Sequence, residues 1–290
     1  MATDQPNPTL SIVIPAKNEA GSIADVVSRA RSAFGDAEII VVDDGSEDDT
    51  RSLAESAGAI VRSHPVSLGN GAAIKTGART ASGELIAFMD ADGQHSPEDL
   101  SRLVERLGEG FDMVVGARHA RGHASAARLF ANTVYNRLAS RMSGQRVADL
   151  TSGFRVARAD KFKRFLYLLP NGFSYPTTST MAFLRSGYPI DFLPIEVGRR
   201  EGKSHIRPLA DGIRFLLIIF KIATLYSPLK IFFPISSGFF LTGLGWYAYT
   251  YATQGRFTNM SMLIFSAAVI IFLIGLISEQ ITALTFSRSE

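Results

Sequence analysis

Phe88-Met89-Asp90-Ala91-Asp92-Gly93-Gln94-His95 is the stretch from which the fold can be read. An apolar run, Leu85 to Met89, bounded by Gly83 and Gly93, opens directly into two carboxylates one residue apart. Such a run suits a strand covered on both faces in a parallel sheet. Open α/β sheets collect ligands outside the carboxyl ends of their strands, so Asp90 and Asp92 stand where a ligand is expected. Two hard oxygen donors at i and i+2, with Gln94 close behind, suit Mg²⁺ or Mn²⁺ that keeps some waters and binds a substrate diphosphate. Ser96-Pro97-Glu98-Asp99 then reads as the start of a helix.

Outward from this stretch, short apolar runs alternate with amphipathic ones. Leu10–Pro15, Ala37–Val42, Ala59–Arg62, Glu84–Met89 and Asp112–Gly116 read as strands. Ile23–Phe34, Asp49–Ala57, Gly71–Ala81, Pro97–Leu107 and Arg128–Arg141 read as helices between them. The alternation predicts a mostly parallel, doubly wound sheet with right-handed crossovers. Further on, Asp149–Val156 is expected to be a strand and Tyr175–Arg185 a helix. Phe192–Val197 is expected to be an edge strand, because Pro194 lacks an amide donor.

The second strand ends in Val41-Val42-Asp43-Asp44-Gly45-Ser46, and the first in Ile14-Pro15-Ala16-Lys17-Asn18-Glu19. Polar groups therefore converge on one sheet edge from three strands, as a pocket for a base, a ribose and a metal-bound diphosphate requires. The first strand is not followed by Gly-x-Gly-x-x-Gly, and no Walker-type loop occurs, so dinucleotide and P-loop folds are set aside. The 290 residues include no cysteine, which excludes disulfides, thiolate zinc sites and a cysteine nucleophile. Met1 to Pro8 is polar and the first apolar run is strand-length, so no cleavable signal peptide is expected.

The last third differs in kind. Ile231 to Gly255 and Phe257 to Ser278 contain no charged residue. About 20 apolar residues cross a bilayer, so both segments are long enough to span. Trp246, Tyr247, Tyr249 and Tyr251 cluster near the end of the first, as an interfacial belt would. Just before it stand Arg199, Arg200, Lys203, Arg207, Arg214, Lys221 and Lys230 against Glu201 and Asp211, in a chain whose total charge is only +3. The loop between the spans carries Arg256 alone. Positive-inside reasoning puts residues 1–230 and the C-terminus in the cytoplasm, giving a multi-pass plasma (inner) membrane protein. Ile213 to Tyr226 reads as an interfacial helix whose Arg214 and Lys221 face lipid phosphates. The basic cluster abuts a span rather than stacking aromatics, so no nucleic-acid partner is expected. The expected division is a cytoplasmic catalytic domain over 1–205, juxtamembrane helices over 206–230 and a two-helix membrane domain over 231–290.

Several ordered motifs together resemble glycosyltransferase family 2. They are Ile12-Val13-Ile14-Pro15-Ala16-Lys17-Asn18-Glu19, Val41 to Ser46, Leu68-Gly69-Asn70-Gly71-Ala72 with Lys75, and Asp90 to His95. Gly116-Ala117-Arg118, Leu150-Thr151-Ser152-Gly153-Phe154-Arg155 and Arg199-Arg200-Glu201-Gly202-Lys203-Ser204 resemble later motifs of its polyprenyl-phosphate subgroup, typified by dolichyl-phosphate mannose synthase. The resemblance covers about residues 10–230. It implies a GT-A fold, α/β with a doubly wound mixed sheet, followed by amphipathic juxtamembrane helices and two transmembrane helices.

The same resemblance implies roles. Pro15, Ala16, Asn18, Glu19, Asp43, Asp44 and Lys75, with Asp90, Ala91 and Asp92, would bind the donor nucleotide. Asp90, Asp92 and Gln94 would hold Mg²⁺ or Mn²⁺. Arg118, Arg128, Ser152, Arg200 and Lys203 would cradle the phosphate of polyprenyl or dolichyl phosphate, with Asp90, Asp92, Arg118 and Arg200 closest to the reaction. Arginine suits that cradle because a guanidinium fork binds phosphate bidentately. Arg155 could instead tie to Asp149. None of His64, His95, His119, His123 and His205 needs a catalytic role, although His95 lies beside the metal set. His205 stands where the subgroup usually has Lys, and a neutral imidazole is a poor substitute.

A phosphate oxygen is already anionic, so positioning and metal electrostatics suffice for the transfer from a nucleotide-diphosphate hexose, which the resemblance implies to be inverting. The donor remains open among GDP-mannose, UDP-glucose and UDP-N-acetylglucosamine. A processive polysaccharide synthase is the first rival. It would need Gln-x-x-Arg-Trp, whereas the single tryptophan, Trp246, falls inside a span. A non-catalytic binding adaptor is the second, opposed by the intact Asp90, Asp92 and Lys75. Self-association through the membrane helices is a further expectation.

Overall fold

In the computed structural model, residues 9–118, 126–172, 174–196, 217, 220, 224 and 226–287 are described, without the side chains of 126–131 and 287. They fall into two units, Met1–Gly212 and Ile213–Glu290.

The first unit is built on β1 (Leu10–Ala16), β2 (Glu38–Asp43), β3 (Ile60–Ser63), β4 (Leu85–Phe88), β5 (Met113–Arg118), β6 (Arg155–Arg158) and β7 (Ile190–Ile195). They form one sheet in the order β3-β2-β1-β4-β6-β5-β7. All neighbours are parallel except β6, which runs antiparallel to β4 and β5 on either side. The sheet is therefore mixed; the apolar runs of β1, β2, β4 and β5 are buried, whereas β3 is an exposed edge strand. Ile12, Ile14, Ile39 and Val41 point to the face covered by α1 (Ile23–Ala33) and α4 (Pro97–Gly108), packing with Val26, Leu100 and Leu103. Val13 and Val42 point to the other face, against α3 (Asn70–Thr80). There a Cβ on Gly77 would stand 2.2 Å from Val13 Cγ1, so glycine lets this helix lie close on the sheet.

The start of α4 carries its own signal. The Ser96 hydroxyl accepts from the Asp99 amide at 3.0 Å, Pro97 follows, and Glu98 and Asp99 fill the first turn. The remaining helices are α2 (Thr50–Ser56), α5 (Ala126–Ser143), α6 (Ala159–Arg164) and α7 (Tyr175–Arg185).

Two strand expectations are corrected. Asp149–Val156 is not one strand, since only Arg155–Arg158 is extended and paired. The Asp149 carboxylate accepts from the Thr151 amide and hydroxyl, each at 3.0 Å, and this closes a turn rather than a ladder. The last strand starts two residues early, at Ile190, and Val197 lies outside the described residues. Among the described strands it pairs only with β5, at the edge position that suits Pro194.

The second unit is a hairpin of α8 (Leu229–Gln254) and α9 (Asn259–Ser287), joined through Gly255 at φ +64°. Both helices are long and apolar enough to cross a bilayer, and only 11% and 17% of their apolar windows is buried, unlike core helices. Small residues bring them together. The Ser236 hydroxyl donates to the Ala268 carbonyl at 2.9 Å, and a Cβ on Gly275 would stand 2.5 Å from that of Phe232. The Glu279 carboxylate accepts from the Leu229 amide at 3.2 Å and the Ser227 hydroxyl at 2.9 Å, capping the first helix. Of the interfacial segment expected over 213–226, only 217, 220, 224 and 226 are described, all helical.

Candidate active site

The parallel strands place the carboxyl ends of β1, β2, β4 and β5 on one edge of the sheet. Ala16 is level with Asp43, Val13 with Phe88, and Phe88 and Val115 both with Arg155. Pro15 and Ala16, Asp43, Asp90 to Gln94, Arg118 and Ser152 therefore share this edge.

The first two strand ends are laced together. Asn18, in left-handed backbone at φ 55°, donates its amide to the Ser46 hydroxyl at 2.9 Å, and its side-chain oxygen accepts from the Glu47 amide at 2.9 Å. The Glu19 amide donates to the Thr50 hydroxyl at 2.8 Å. Asp43, itself buried, accepts from the Ser46 amide at 3.0 Å.

Asp44 faces inward. Its carboxylate accepts from the Ser67 hydroxyl at 2.8 Å and the Leu68 and Gly69 amides at 2.8 and 2.9 Å, and lies 2.7 Å from His64 Nδ1. A carboxylate only accepts, so Nδ1 carries the proton and Nε2 faces the Thr76 hydroxyl at 2.9 Å. Burial pushes the Asp44 pKa up, but the bonds from His64, Leu68, Ser67 and Gly69 outweigh it and hold the group below its usual range. Asp44 thus shapes the turn into α3.

Lys75 also engages the chain itself. It donates to the Leu169 carbonyl at 3.3 Å and to the Asn171 side-chain oxygen. The Gly71 and Ala72 amides donate to the Gly172 and Asn171 carbonyls at 3.2 and 2.9 Å. The 170–172 loop crosses so closely that a Cβ on Gly71 would stand 2.0 Å from the Pro170 carbonyl oxygen. The first turn of α3 is closed by protein.

Asp90 and Asp92 leave β4 beside a glycine. Both Asp90 carboxylate oxygens lie 3.7–3.8 Å from where a Gly153 Cβ would be. The Gln94 amide donates to Asp92 Oδ1 at 3.2 Å. His95 is stacked on Phe154 with ring centres 4.4 Å apart and planes at 8°, and it is 9% exposed. Burial lowers its pKa against the pull of Asp90 and Asp92, keeping it neutral, and its Nδ1 has no partner among the described residues. No group of three or more His, Cys, Asp or Glu able to hold a metal occurs among the described residues. The donor set is two hard carboxylates and a nearby amide. That fits a divalent ion whose open positions a diphosphate and water complete, and not a closed protein cage.

Arg118 is held by Asp149, the residue expected to tie to Arg155. Its Nε donates to Asp149 Oδ2 at 2.8 Å and its Nη2 to Oδ1 at 3.2 Å, while Nη2 also reaches the Thr151 hydroxyl at 2.7 Å. The Nε/Nη2 fork is consumed, so a bidentate phosphate clamp from that fork is not what Arg118 offers. Burial opposes its charge, but Asp149, and Asp90 behind it, raise the guanidinium pKa. Asp149 responds in the opposite sense. Its burial is outweighed by Arg118, and its pKa falls.

The expected tie between Arg155 and Asp149 is therefore replaced. Arg155 is fully buried and donates to the Pro176 carbonyl at 3.0 Å, Ser179 Oγ at 2.8 Å, Thr180 Oγ1 at 3.1 Å and the Ser152 carbonyl. Burial lowers its pKa to about 10. Tyr175 adds a bond from its hydroxyl to the Gly153 carbonyl at 2.9 Å. Arg155 and Tyr175 thereby fix the wall opposite Asp90. Arg200, Lys203, His205 and the Arg128 side chain lie outside the described residues.

Comparison with known proteins finds matches for both units. Residues 11–166 match the family "Glycosyl transferase family 2", and residues 227–284 match "GtrB C-terminal hairpin". Glycosyltransferase AglJ of Haloferax volcanii is 29% identical over 288 residues, covering 94% of this chain and 93% of its own. Undecaprenyl-phosphate 4-deoxy-4-formamido-L-arabinose transferase of Pseudomonas fluorescens is 30% identical over 258 residues, covering 81% and 70%. Among solved structures, glucosyl-3-phosphoglycerate synthase of Mycobacterium tuberculosis, in complex with Mn²⁺, UDP and phosphoglyceric acid, superposes with a TM-score of 0.59 at 26% identity. That match covers 74% of this chain and 78% of the other. Nothing in these comparisons supports the expected self-association.

Proposed function

The chain belongs to glycosyltransferase family 2, and on that premise we propose that it moves a hexose from a nucleotide-diphosphate sugar to polyprenyl phosphate, inverting the anomeric carbon. The observation that carries this reading is the meeting of Asp90, Asp92 and Arg118 on one sheet edge, in a chain that ends in a hairpin of membrane-crossing length. The relative named for undecaprenyl phosphate supports the acceptor class. The solved relative carrying UDP makes uridine donors the first to test.

Asp90 and Asp92, with Gln94, would hold Mg²⁺ or Mn²⁺. Such an ion supplies charge neutralisation for the departing nucleoside diphosphate. Pro15, Ala16, Asn18, Glu19 and Asp43 form the nucleotide side of the pocket. Arg118 would meet the acceptor phosphate, and Ser152 shares its sheet edge. Arg128, Arg200 and Lys203 complete the basic side. The attacking phosphate oxygen needs no general base, so holding two anionic reactants in line is the main task. The amino-terminal unit and the C-terminus are cytoplasmic, since the basic excess flanks the first span.

Thermal shift of the full chain against UDP- and GDP-sugars with Mn²⁺ tests donor recognition. A donor that stabilises should then support sugar transfer to polyprenyl phosphate. Stabilisation by none of them, with no transfer, overturns the reading.

A further inference from the structure

From Met113 to Ala148 the chain holds six arginines and not one aspartate or glutamate. Composition does not explain this, because the whole chain is nearly balanced at 30 basic to 27 acidic residues. Arg137, Arg141 and Arg146 are exposed. Tyr135, Ala139 and Met142, on the other side of α5, are buried. Arg137 and Arg141 stand one helical turn apart, where like charges repel. None of the three makes an ion pair among the described residues.

The surface is also rigid. The Val147 amide donates to the Ser140 hydroxyl at 2.9 Å, and Asn136 donates to the Ala148 carbonyl at 2.6 Å. These bonds fold the 144–148 return back along the helix and keep Arg146 beside it. The neighbouring α7 contributes no acidic residue either. A fixed, one-sign face with no counter-charge among the described residues calls for an external anion.

We propose that the arginine face of α5 docks on the anionic phospholipid headgroups of the bilayer that carries the hairpin. Two features select lipid. Guanidinium groups match phosphate geometry, and a chain anchored by two spans keeps its catalytic unit at high effective concentration near the headgroups. Each basic residue at such a surface is worth roughly fivefold in binding, so three amount to about a hundredfold. The inference rests on the membrane reading of the hairpin. Its readout involves no sugar transfer, so its failure and that of the proposed activity can be told apart.

The absence of cysteine makes the test direct. Gln145→Cys on the full chain carries a fluorophore, and nanodiscs of phosphatidylcholine, with or without about a third phosphatidylglycerol, carry a headgroup energy acceptor. Energy transfer should rise at least twofold with phosphatidylglycerol and fall back in 0.5 M salt, an outcome that needs no further variant. Arg137→Gln/Arg141→Gln/Arg146→Gln should abolish the rise while the melting temperature stays unchanged. A label at Ser52→Cys, on α2, should lack this variant-sensitive rise. Equal energy transfer in both lipids, or a rise that survives the triple variant, overturns the proposal. So would a response at Gln145 to an RNA oligonucleotide but not to phosphatidylglycerol, which would assign the face to nucleic acid.

Discussion

Arg118 and Asp149 form a two-point ion pair, Nε to Oδ2 at 2.8 Å and Nη2 to Oδ1 at 3.2 Å, that fixes the guanidinium at the carboxyl end of β5. Asp149 is almost fully buried, whereas about a third of the Arg118 side chain is exposed. The carboxylate is the anchor and the arginine the presented group. Asp149→Asn should leave Arg118 charged but loosely aimed. Transfer to polyprenyl phosphate should fall about ten- to a hundredfold, mostly as a raised KM for the lipid, since a charge-assisted contact is worth roughly 1.5–3 kcal/mol. Calorimetric affinity for UDP with Mn²⁺ should barely change. Equal losses in both measurements would assign the pair to the donor side.

Two buried carboxylates give the fold an acid limit. Asp44 and Asp149 both titrate below the ordinary carboxylate range in the folded chain. The stability they contribute is therefore full above their unfolded pKa, about 3.9, and lost as pH falls through the folded values. Melting temperature should be level from pH 7 to 5 and drop steeply below about 4. Asp44→Asn should lower stability at pH 7 by about 1–3 kcal/mol, because it strips an acceptor from buried donors. The same variant should show a shallower acid limb, and an unchanged limb would contradict this account.

Gly71 is fixed by what passes over it. A methyl group there would stand 2.0 Å from the Pro170 carbonyl oxygen, whereas one at Gly35 meets nothing within 4 Å. Gly71→Ala should cost about 1–3 kcal/mol through overpacking and loosen the loop bonded to Lys75. Gly35→Ala should be neutral within about 0.5 kcal/mol. Denaturant melts of the two variants make the comparison.

The hairpin predicts a topology. A reporter after Glu290 should read as cytoplasmic and one inserted at Gly255 as external. An external signal from the C-terminal fusion would mean that only one helix crosses.

The central parallel strands were legible because β1, β2 and β4 carry the uninterrupted apolar runs Ile12-Val13-Ile14, Ile39-Ile40-Val41-Val42 and Ile86-Ala87-Phe88, buried on both faces. The clustering of Asn18 and Glu19, Asp43 and Asp90 followed, since carboxyl ends of parallel strands share an edge, whereas Arg118 came from the family resemblance alone. The antiparallel insertion of β6 was not legible, because four residues carry no sign of strand direction. Asp149 was given the wrong partner, because on a strand it would stand near Arg155; an aspartate two residues before a threonine is also a turn signature, and that turn hands its carboxylate to Arg118. The inward aim of Asp44 and Lys75 depends on His64, Ser67 and the 169–172 loop, and no local pattern announces partners that distant in sequence.

The most direct test is sugar transfer itself. The full chain in nanodiscs, given a nucleotide-diphosphate sugar, polyprenyl phosphate and Mn²⁺, should form one lipid-phosphate sugar per nucleoside diphosphate released. EDTA, Asp90→Asn or Asp92→Asn should each reduce the rate by at least about two orders of magnitude. Undiminished transfer in EDTA, or by either variant, would contradict the metal-dependent site at the end of β4. Nucleoside diphosphate release without lipid product would contradict the acceptor.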